Sequence, residues 1–445
     1  MPSLPAGHAW HTTGRRHSRA RGACRCGSGG KDFRSSRDTR TLGSPGKLGG
    51  NLLAPKQAHG QTFIERRFDM TKGRVAIVGT GFVADLYMRS LASFPEIEVV
   101  SAYDINPANR ARFCGYWNIR PAQDLEQLLS DQSVALVLNL TNPASHFTVS
   151  KACLDAGKHV YSEKPLALSV ADARELCELA AKHSLELASA PCSLLGEAAQ
   201  TAWQAVRTGK IGTPYLVYAE LDDDFIPRAP YTKWRSESGA PWPYQDEFAV
   251  GCTLEHAGYY LTWLIAMFGS ITRVISATGD LIPEKPIGNA PRAAPDFSCA
   301  TLYFESGTVA RLTCSIIASH DHRLRIFGEN GTLEIARSWD NNSPVKLRRR
   351  YALRRKLITS PIATRIRLKQ PTHPKVGRWG AASMNFALGP AEVLSAIAES
   401  RANRLSSKFA LHLTEATLAI QQGDGVHEMS TRCPPIEPMD WARTS

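Results

Sequence analysis

The chain has 445 residues, of which 43% are hydrophobic, and a formal net charge of +12 at pH 7; a chain of this length can form two folded domains. Residues 1–70 contain 13 Lys or Arg and 4 Asp or Glu, so most of the net charge lies there and the rest of the chain is nearly neutral. This distribution argues against a nucleic-acid-binding body, and no apolar stretch is long enough to span a bilayer.

Residues 1–69 are rich in Arg, Gly, Ser and Pro, a composition that cannot bury enough apolar surface to fold. No apolar segment follows Arg15-Arg16, so a twin-arginine export signal is rejected, while a basic leader of this kind also resembles a transit peptide. We expect residues 1–69 to be a disordered or spurious extension, and the folded chain to begin at Met70. The ten cysteines are scattered, which predicts free thiols and a cytoplasmic protein.

Strand and helix patterns alternate from Arg74 onwards. A strand that is apolar throughout indicates a sheet covered on both faces. Residues 70–192 are therefore predicted to form a parallel, doubly wound α/β domain of the Rossmann type. Its predicted strands are Val75–Val78, Ile97–Tyr103, Val134–Leu140 and His159–Ser162, and its helices are Val83–Ser93, one from about Ala108, and Ser145–Ala156.

The pattern changes after about residue 195, where strands follow one another with short turns at Gly307 and Gly331. Consecutive hairpins imply an antiparallel sheet. Residues 193–430 are therefore predicted to form an α+β domain with a mainly antiparallel open sheet, followed by a tail at 431–445, and we expect a homo-oligomer to form through this sheet. The predicted elements are strand Pro214–Glu220, helix Leu254–Phe268, and strands Arg273–Thr278, Phe297–Phe304, Val309–Ile316 and Arg323–Phe327.

A basic insertion is predicted at about 341–383, because residues 341–391 contain 12 Lys or Arg and no Asp or Glu. We favour a solvated, mobile segment. The alternative is a contact with an anionic partner, either a nucleotide-sugar diphosphate or, less favoured, an acidic membrane surface. Nucleic acid is not expected, because aromatic residues are not interleaved with the charges.

The first chemical motif is a G-x-G-x-x-A turn that follows an apolar strand and opens a helix, at Gly79-Thr-Gly81-Phe82-Val83-Ala84. Glycines permit the tight turn and the close approach of a pyrophosphate, which the helix N-terminus then binds. We expect Gly79, Gly81, Phe82 and Val83 to contact a dinucleotide.

Asp104 lies at the end of the second predicted strand. A carboxylate at this place accepts hydrogen bonds from the adenosine ribose and repels a 2′-phosphate. Ile105 rather than an arginine follows it, so NAD is favoured over NADP, although Arg110 could reverse this preference.

Two further segments follow predicted strands. The turn Thr141-Asn142-Pro143, with His146 after it, is expected beside the nicotinamide, although a capping or surface role for His146 is equally consistent. The second segment is Gly157-Lys-His-Val-Tyr-Ser-Glu163-Lys164-Pro165. Its Lys164–Pro165 bond is a candidate for a cis peptide.

Together these motifs resemble the Gfo/Idh/MocA family, which includes glucose–fructose oxidoreductase and inositol dehydrogenases. The resemblance covers roughly residues 73–340, and more loosely 384–421. It implies that Lys164 lies at the substrate hydroxyl beside the nicotinamide, and that Glu163 and Pro165 hold it. The cofactor-binding set then becomes Gly79, Gly81, Phe82, Val83, Asp104, Thr141, Asn142, Pro143, His146, Glu163 and Lys164.

The family's second site lies on a helix with the pattern D-x-G-x-H-x-x-D, and this chain departs from it. Counted back from Phe268-Gly269, Glu255 replaces the first Asp, Tyr259 the catalytic His and Thr262 the last Asp. Glu255 and Tyr259 share one helix face. The resemblance implies Lys164, Tyr259 and Glu255 as catalytic. We expect the Lys164 ammonium and the nicotinamide cation together to stabilise a Tyr259 phenolate, which then acts as the base. His256 is the alternative base if the register is shifted; a core or hydrogen-bonded role is favoured for it.

The predicted function is an NAD(P)-dependent oxidoreductase that acts on a secondary alcohol or ketone of a sugar, cyclitol or nucleotide-linked sugar. Asp222, Trp234 and Arg235 are expected to bind this substrate, although an ordinary exposed loop would carry the same residues. No cluster of metal ligands is apparent at a recognisable spacing. The competing hypothesis is a catalytically inactive dinucleotide-binding sensor or scaffold, suggested by the departures at Tyr259 and Thr262.

Overall fold

The computed structural model describes residues 73–288, 294–337, 339–376 and 383–443. The expectations for residues 1–69 and for a start at Met70 lie outside these residues. None of the described helices is both long and apolar enough to cross a membrane. The eight cysteines among the described residues are all free thiols.

The first domain is built on a six-stranded parallel sheet with the strand order β3-β2-β1-β4-β5-β6. In its centre, Val75–Val78 of the first strand and all of Leu136–Asn139 are buried, because helices cover both faces, as the apolar runs predicted. This confirms the Rossmann prediction. The strands are β1 (Gly73–Val78), β2 (Ile97–Tyr103), β3 (Arg120–Pro121), β4 (Leu136–Asn139), β5 (His159–Ser162) and β6 (Leu187–Ser189).

Five helices connect these strands, and several begin at a side chain that caps the free backbone amides. Asn106, Asp124 and Ser169 each accept a backbone N–H at the start of α2, α3 and α5. By contrast, α1 begins after Gly81 with no side-chain cap. The helices are α1 (Phe82–Leu91), α2 (Pro107–Trp117), α3 (Leu125–Ser130), α4 (His146–Asp155) and α5 (Val170–Lys182).

The second domain contains a ten-stranded sheet whose main path runs β14-β13-β12-β11-β7-β10-β9-β8-β16. Its pairs are antiparallel except for β7 with β10, so the mainly antiparallel sheet is confirmed. The strands are β7 (Pro214–Asp222), β8 (Ile271–Gly279), β9 (Phe297–Phe304), β10 (Val309–Ser315), β11 (Leu324–Gly328), β12 (Gly331–Ile335), β13 (Val345–Leu353), β14 (Lys356–Thr359), β15 (Thr364–Ile366) and β16 (Asp424–Glu428).

One face of this sheet packs on helices. Residues of β9 alternate between buried and half-buried, which is the two-residue period of a strand with one face in the core. The helices of this half are α6 (Glu197–Arg207), α7 (Tyr244–Val250), α8 (Cys252–Phe268), α9 (Leu388–Ala398) and α10 (Ser407–Gln422). Because α10 contacts both α5 and β8, it joins the two domains.

Much of the basic segment is folded into strands, where we expected a solvated, mobile segment. Residues 345–353, 356–359 and 364–366 form β13, β14 and β15, and β13 pairs with β12 along Gly331–Glu334. Val345 and Leu347 are buried while Lys346 is exposed, so a strand alternation was present beneath the run of charge. Arg348 forms an ion pair with Glu334 across the two strands. Residues 377–382 of this segment lie outside the described chain.

Candidate active site

A cleft of about 1000 Å³ lies where the carboxyl ends of the parallel strands meet the second domain. Ligands bind at this edge of open α/β sheets. The cleft is lined by the G-x-G-x-x-A turn, by the ends of β2, β4 and β5, and by residues of α7 and α8. It therefore joins the predicted cofactor residues to those of the second domain.

The glycine-rich turn is shaped for close backbone approach. Gly79 has φ +93°, and a Cβ there would lie 2.5 Å from the carbonyl oxygen of Leu140. A Cβ on Gly81 would meet nothing within 4 Å, so at Gly81 the turn is open towards the cleft. Gly81, Phe82 and Val83 all line the cleft, at the uncapped start of α1. This arrangement fits a pyrophosphate at the helix N-terminus.

Asp104 is held firmly at the end of β2. Its Oδ2 accepts hydrogen bonds from the backbone N (2.8 Å) and Oγ1 (2.9 Å) of Thr80, and its Oδ1 accepts one from Asn106 N at 2.8 Å. The carboxylate thus links the glycine-rich turn to the following loop, and it lines the cleft where the adenosine ribose of a dinucleotide is expected.

The arginine in this corner of the cleft is Arg112 and not Arg110. Arg110 donates to the carbonyl oxygen of Gln123 at 2.8 Å and lies over the ring of Tyr103. Arg112 lines the cleft and donates to the carbonyl oxygen of Thr80 at 3.2 Å. Sequence reasoning missed Arg112, because its place one helical half-turn beyond Arg110 gave no separate signal.

His146 does not lie at the surface, and its backbone N–H caps the short 3-10 turn Pro143–Ser145 by donating to the carbonyl oxygen of Pro143. It is fully buried, with Nδ1 2.6 Å from the carbonyl oxygen of Pro165 and Nε2 3.0 Å from that of Thr141. Burial lowers its pKa, and a neutral ring donates to only one of these two carbonyl oxygens. The His146 ring therefore packs between the Thr141–Pro143 turn and the Lys164–Pro165 turn, with a hydrogen bond to one of them. All of Thr141, Asn142, Pro143 and His146 line the cleft.

Lys164 lies at the centre of the cleft, and the Lys164–Pro165 bond is cis. Its Nζ forms an ion pair with Glu255 of α8. Burial alone would lower the pKa of Lys164, but the carboxylates around it, Glu255 first, raise it above its ordinary value, so the amine is charged. Glu163 accepts hydrogen bonds from Tyr87 Oη at 2.7 Å and from Lys164 N at 2.9 Å, which fixes the turn.

Tyr259 lines the cleft beside Lys164, where burial and charge act on its pKa. Burial is the largest effect and raises its pKa well above the ordinary value; the charge of Lys164 opposes it, and the carboxylates of Glu163 and Glu255 raise the pKa further. Lys164 lowers the pKa of Tyr259, in the direction expected, but in the chain by itself burial prevails and the side chain is a neutral phenol.

Glu247 of α7 is a functional candidate that sequence reasoning missed. Burial and the carboxylate of Glu255 raise its pKa well above the usual range, so Glu247 carries a proton and donates to Glu255. Burial opposes ionisation of Glu255 too, but the Lys164 ammonium lowers its pKa. The site thus contains one ammonium, one carboxylate paired with it, and one protonated carboxyl group. No sequence motif marks Glu247, because α7 aligns with none of the quoted patterns.

Two other residues of α8, His256 and Thr262, are placed differently from Glu255 and Tyr259. His256 lines the cleft but directs Nε2 at Asp223, 3.0 Å away. Thr262 is fully buried and donates to the carbonyl oxygen of Tyr259 at 3.1 Å. With the register counted back from Phe268-Gly269, Glu255 and Tyr259 therefore lie beside Lys164, whereas His256 contacts Asp223.

Two of the three expected substrate residues do not line the cleft. Asp222 has the same side-chain direction in β7 as Tyr218 and Glu220, away from α8, whereas Asp223 has the opposite direction and lines the cleft. Arg235 is exposed and donates to neighbouring carbonyl oxygens. Trp234 does line the cleft. Asp223 and not Asp222 is therefore the carboxylate to consider, because strand residues alternate in direction.

Folding also brings together Asp223, His320 and His322, whose ligand atoms all lie within 4.8 Å of one another. The sequence predicted no metal-ligand cluster, because about a hundred residues separate Asp223 from the two histidines.

The fold and the cleft define a dinucleotide-binding oxidoreductase with its reactive groups at a domain junction. A sequence profile described as "Oxidoreductase family, NAD-binding Rossmann fold" matches residues 73–190, and the "GFO/IDH/MocA C-terminal domain" matches residues 199–334. The chain therefore belongs to the Gfo/Idh/MocA family of NAD(P)-dependent oxidoreductases.

Relatives with named activities share its architecture. Trans-1,2-dihydrobenzene-1,2-diol dehydrogenase of Mus musculus is 27% identical over 274 residues, which cover 60% of this chain and 75% of that protein. Myo-inositol 2-dehydrogenase of Thermotoga maritima is 22% identical over 263 residues, or 58% of this chain and 74% of that protein. Levoglucosan dehydrogenase, solved with NADH and levoglucosan, superimposes with a TM-score of 0.66 at 16% identity, covering 80% of this chain and 99% of that one.

Proposed function

We propose that this chain is an NAD-dependent dehydrogenase or reductase that interconverts a secondary alcohol and a ketone of a sugar, cyclitol or nucleotide-linked sugar. The observation that carries the proposal is the meeting of Lys164, Glu255 and Tyr259 in the cleft that also contains the glycine-rich turn. A nicotinamide ring, when bound, supplies the hydride chemistry. The protein then has to orient the substrate and move one proton.

Lys164 is the group that we assign to the reacting oxygen. A partly buried ammonium stabilises negative charge that develops on that oxygen, and more strongly than it would in bulk water. Its ion pair with Glu255 and the turn fixed by Glu163 restrict where Nζ can lie. The same pair prevents an isolated buried charge before the substrate arrives.

Tyr259 is the group that we assign to proton transfer. As a neutral phenol it donates a proton to the oxygen of a ketone that accepts hydride. In the opposite direction it must accept the hydroxyl proton, and Lys164 is then the charge that stabilises the resulting phenolate. Glu255 lies beside Lys164 and Tyr259, and the carboxyl group of Glu247 is hydrogen-bonded to it.

The substrate half of the cleft suits a polyhydroxylated ring. It offers carboxylate groups at Asp223, Asp224 and Asp246 and indole rings at Trp234 and Trp242. Carboxylates accept hydrogen bonds from hydroxyl groups, and indole faces cover the C–H surface of a sugar. Ser238 donates to Asp85 at 2.8 Å, which anchors this loop on α1 of the first domain.

A turnover assay tests the proposal. Protein, NAD(H) and a panel of sugars, cyclitols and nucleotide-linked sugars are mixed, and NADH absorbance is followed in both directions. Tyr259→Phe is expected to lower kcat by roughly 10²–10⁴-fold, the usual contribution of proton transfer, with little change in NAD affinity. His256→Ala should have a smaller effect. A loss of activity with His256→Ala but not with Tyr259→Phe would overturn the assignment.

Lys164→Met is the second variant, and Lys182→Met at the exposed end of α5 is its matched control. Only the first should abolish turnover. If the protein binds NAD but turns over no compound of the panel, and Lys164→Met binds NAD equally well, the sensor or scaffold hypothesis replaces the enzyme.

We also propose a homo-oligomer and a cytoplasmic location. The face of the sheet opposite α8 presents Tyr218, Phe327 and Arg311, with the Arg311 guanidinium 4.3 Å from the Tyr218 ring centre. A second copy of the chain fits this aromatic and cationic face, and a monomer in light scattering at micromolar concentration would refute it. Free cysteines among the described residues support a cytoplasmic location.

A further inference from the structure

We propose that Asp223, His320 and His322 bind a divalent transition-metal ion, Zn²⁺ in the first instance, at the substrate end of the cleft. Asp223 follows β7, and the two histidines precede β11. Asp223 Oδ1 lies 2.9 Å from His322 Nε2 and 3.7 Å from His320 Nδ1. Zinc bonds of about 2.0–2.1 Å in a tetrahedral site place ligand atoms roughly 3.3 Å apart, a value between these two distances.

The backbone holds these ligands in place. The backbone N–H groups of Asp222 and Asp321 each donate to the other residue's carbonyl oxygen, with N–O distances of 3.0 and 2.9 Å. This bridge places Asp223, which follows Asp222, opposite His320 and His322, which flank Asp321. His320 N donates to Asp224 Oδ1 at 2.9 Å. Asp224 has φ +64°, a conformation that residues other than glycine seldom adopt and that is often found at functional sites.

The side chains are oriented as well. The second carboxylate oxygen of Asp223, Oδ2, lies 3.0 Å from His256 Nε2, which leaves Oδ1 for the two other imidazoles. The ring of His322 packs edge-on against Trp339 at 4.4 Å and its side chain is almost fully buried. Hydrogen bonds that orient a ligating carboxylate are a general feature of metal sites.

Two imidazoles and one carboxylate form a ligand set that Zn²⁺ and other divalent transition metals accept. With three protein ligands, a zinc ion keeps a fourth position for water or a substrate oxygen. Asp223, His320 and Trp339 line the same cleft as Lys164 and Tyr259. The fourth ligand is therefore expected to be a hydroxyl or carboxylate oxygen near the reacting carbon; this last step alone rests on the proposed function.

Zinc binding to the full-length protein tests the site. The protein is treated with a chelator, incubated with ZnCl₂ and desalted, and bound zinc is measured by mass spectrometry for the wild type, Asp223→Asn and His320→Ala. His320 is half-exposed, so its replacement should not impair folding. His183→Ala, at the exposed end of α5, is the matched control.

The measured quantity is the difference between proteins, because cysteine thiolates elsewhere in the chain also have affinity for zinc. We expect Asp223→Asn and His320→Ala each to bind one equivalent less than the wild type and His183→Ala. We also expect anomalous diffraction at the zinc edge to show a peak among the three ligands. Equal zinc in all four proteins, or no such peak, would show a hydrogen-bonded cluster without metal and overturn the proposal.

Turnover separates this inference from the proposed function. If zinc binds at the site but the protein has no oxidoreductase activity, the metal-site proposal stands and the proposed enzymatic function is refuted. If the chelated protein keeps its activity and binds no zinc at this cluster, the metal-site proposal is refuted and the proposed function stands.

Discussion

Replacing Asp104 with asparagine tests the cofactor preference in the sharpest way. The carboxylate accepts three hydrogen bonds, two from Thr80 and one from Asn106. An asparagine side chain has the same shape and keeps one acceptor oxygen, so it retains the hydrogen bonds to that oxygen and loses those to the other together with the charge. Alanine would remove the charge and the hydrogen bonds together, and would therefore confuse a loose turn with an altered preference.

The magnitude follows from the charge. A 2′-phosphate beside Asp104 places like charges together, which costs several kcal/mol, and each 1.4 kcal/mol is a tenfold change in affinity. We expect the ratio of the NADP and NAD dissociation constants to fall at least about tenfold in Asp104→Asn. Part of this fall should come from weaker NAD binding, because a hydrogen bond from a ribose hydroxyl to a charged group contributes about 1.5–3 kcal/mol.

Isothermal titration with both cofactors measures this ratio, and the melting temperature of each protein reports whether the turn has loosened. Arg112 lines the same corner, so it is available to the 2′-phosphate once the carboxylate is gone. A wild type that prefers NADP, or a ratio unchanged in Asp104→Asn at equal stability, would refute the role given to Asp104.

Three further predictions concern the fold. Gly79→Ala should lower the melting temperature and NAD affinity, because Gly79 has φ +93° and no room for a Cβ; Gly81→Ala should keep the melting temperature and weaken NAD binding only, and equal melting temperatures for the two variants would contradict this. Burial lowers the pKa of His412 from 6.5 to about 4. The unfolded chain therefore binds a proton more readily than the folded protein, and about 3 kcal/mol of the free energy of unfolding should be lost as the pH falls from 6.5 to 4. The unfolding free energy of a His412→Gln variant should change less over this pH range, and an identical pH profile would contradict the assignment. A protein that begins at Met70 should keep the melting temperature and NAD affinity of the full chain, and a large loss of either would show that residues 1–69 contribute to the fold.

The cofactor half was predictable from the sequence because its signals are local. The glycine-rich turn, Asp104 and the Glu163-Lys164-Pro165 segment each lie at the end of an apolar strand, and the strand order of a doubly wound sheet then brings these ends together. Glu255 was predictable only through the family pattern counted back from Phe268-Gly269, since helical periodicity by itself does not indicate which face meets the cleft.

The substrate half was less predictable because its residues meet across long separations. Asp222 and Asp223 are adjacent and point to opposite faces of the sheet, so an error of one position at the end of β7 selects the wrong residue. The sequence has three consecutive aspartates, Asp222 to Asp224, and does not indicate which of them faces the cleft. Asp223 meets His320 and His322 only through pairing of the chain segments at the ends of β7 and β11. Strong charge likewise concealed the alternation of Val345 and Leu347 in the basic segment.

The charges around Lys164 are consistent with a proposed site that serves both reaction directions. Burial keeps Glu247 protonated and Tyr259 neutral, so in the chain alone Tyr259, the group that we propose for proton transfer, is a donor, as ketone reduction requires. An oxidised nicotinamide ring adds a second positive charge beside that of Lys164, and nearby positive charge lowers the pKa of a phenol. A reduced ring adds none. We infer that Tyr259 accepts a proton more readily beside the oxidised cofactor and donates one more readily beside the reduced cofactor. The oxidised form thus favours the proton removal that alcohol oxidation requires, and the reduced form favours the proton donation that ketone reduction requires.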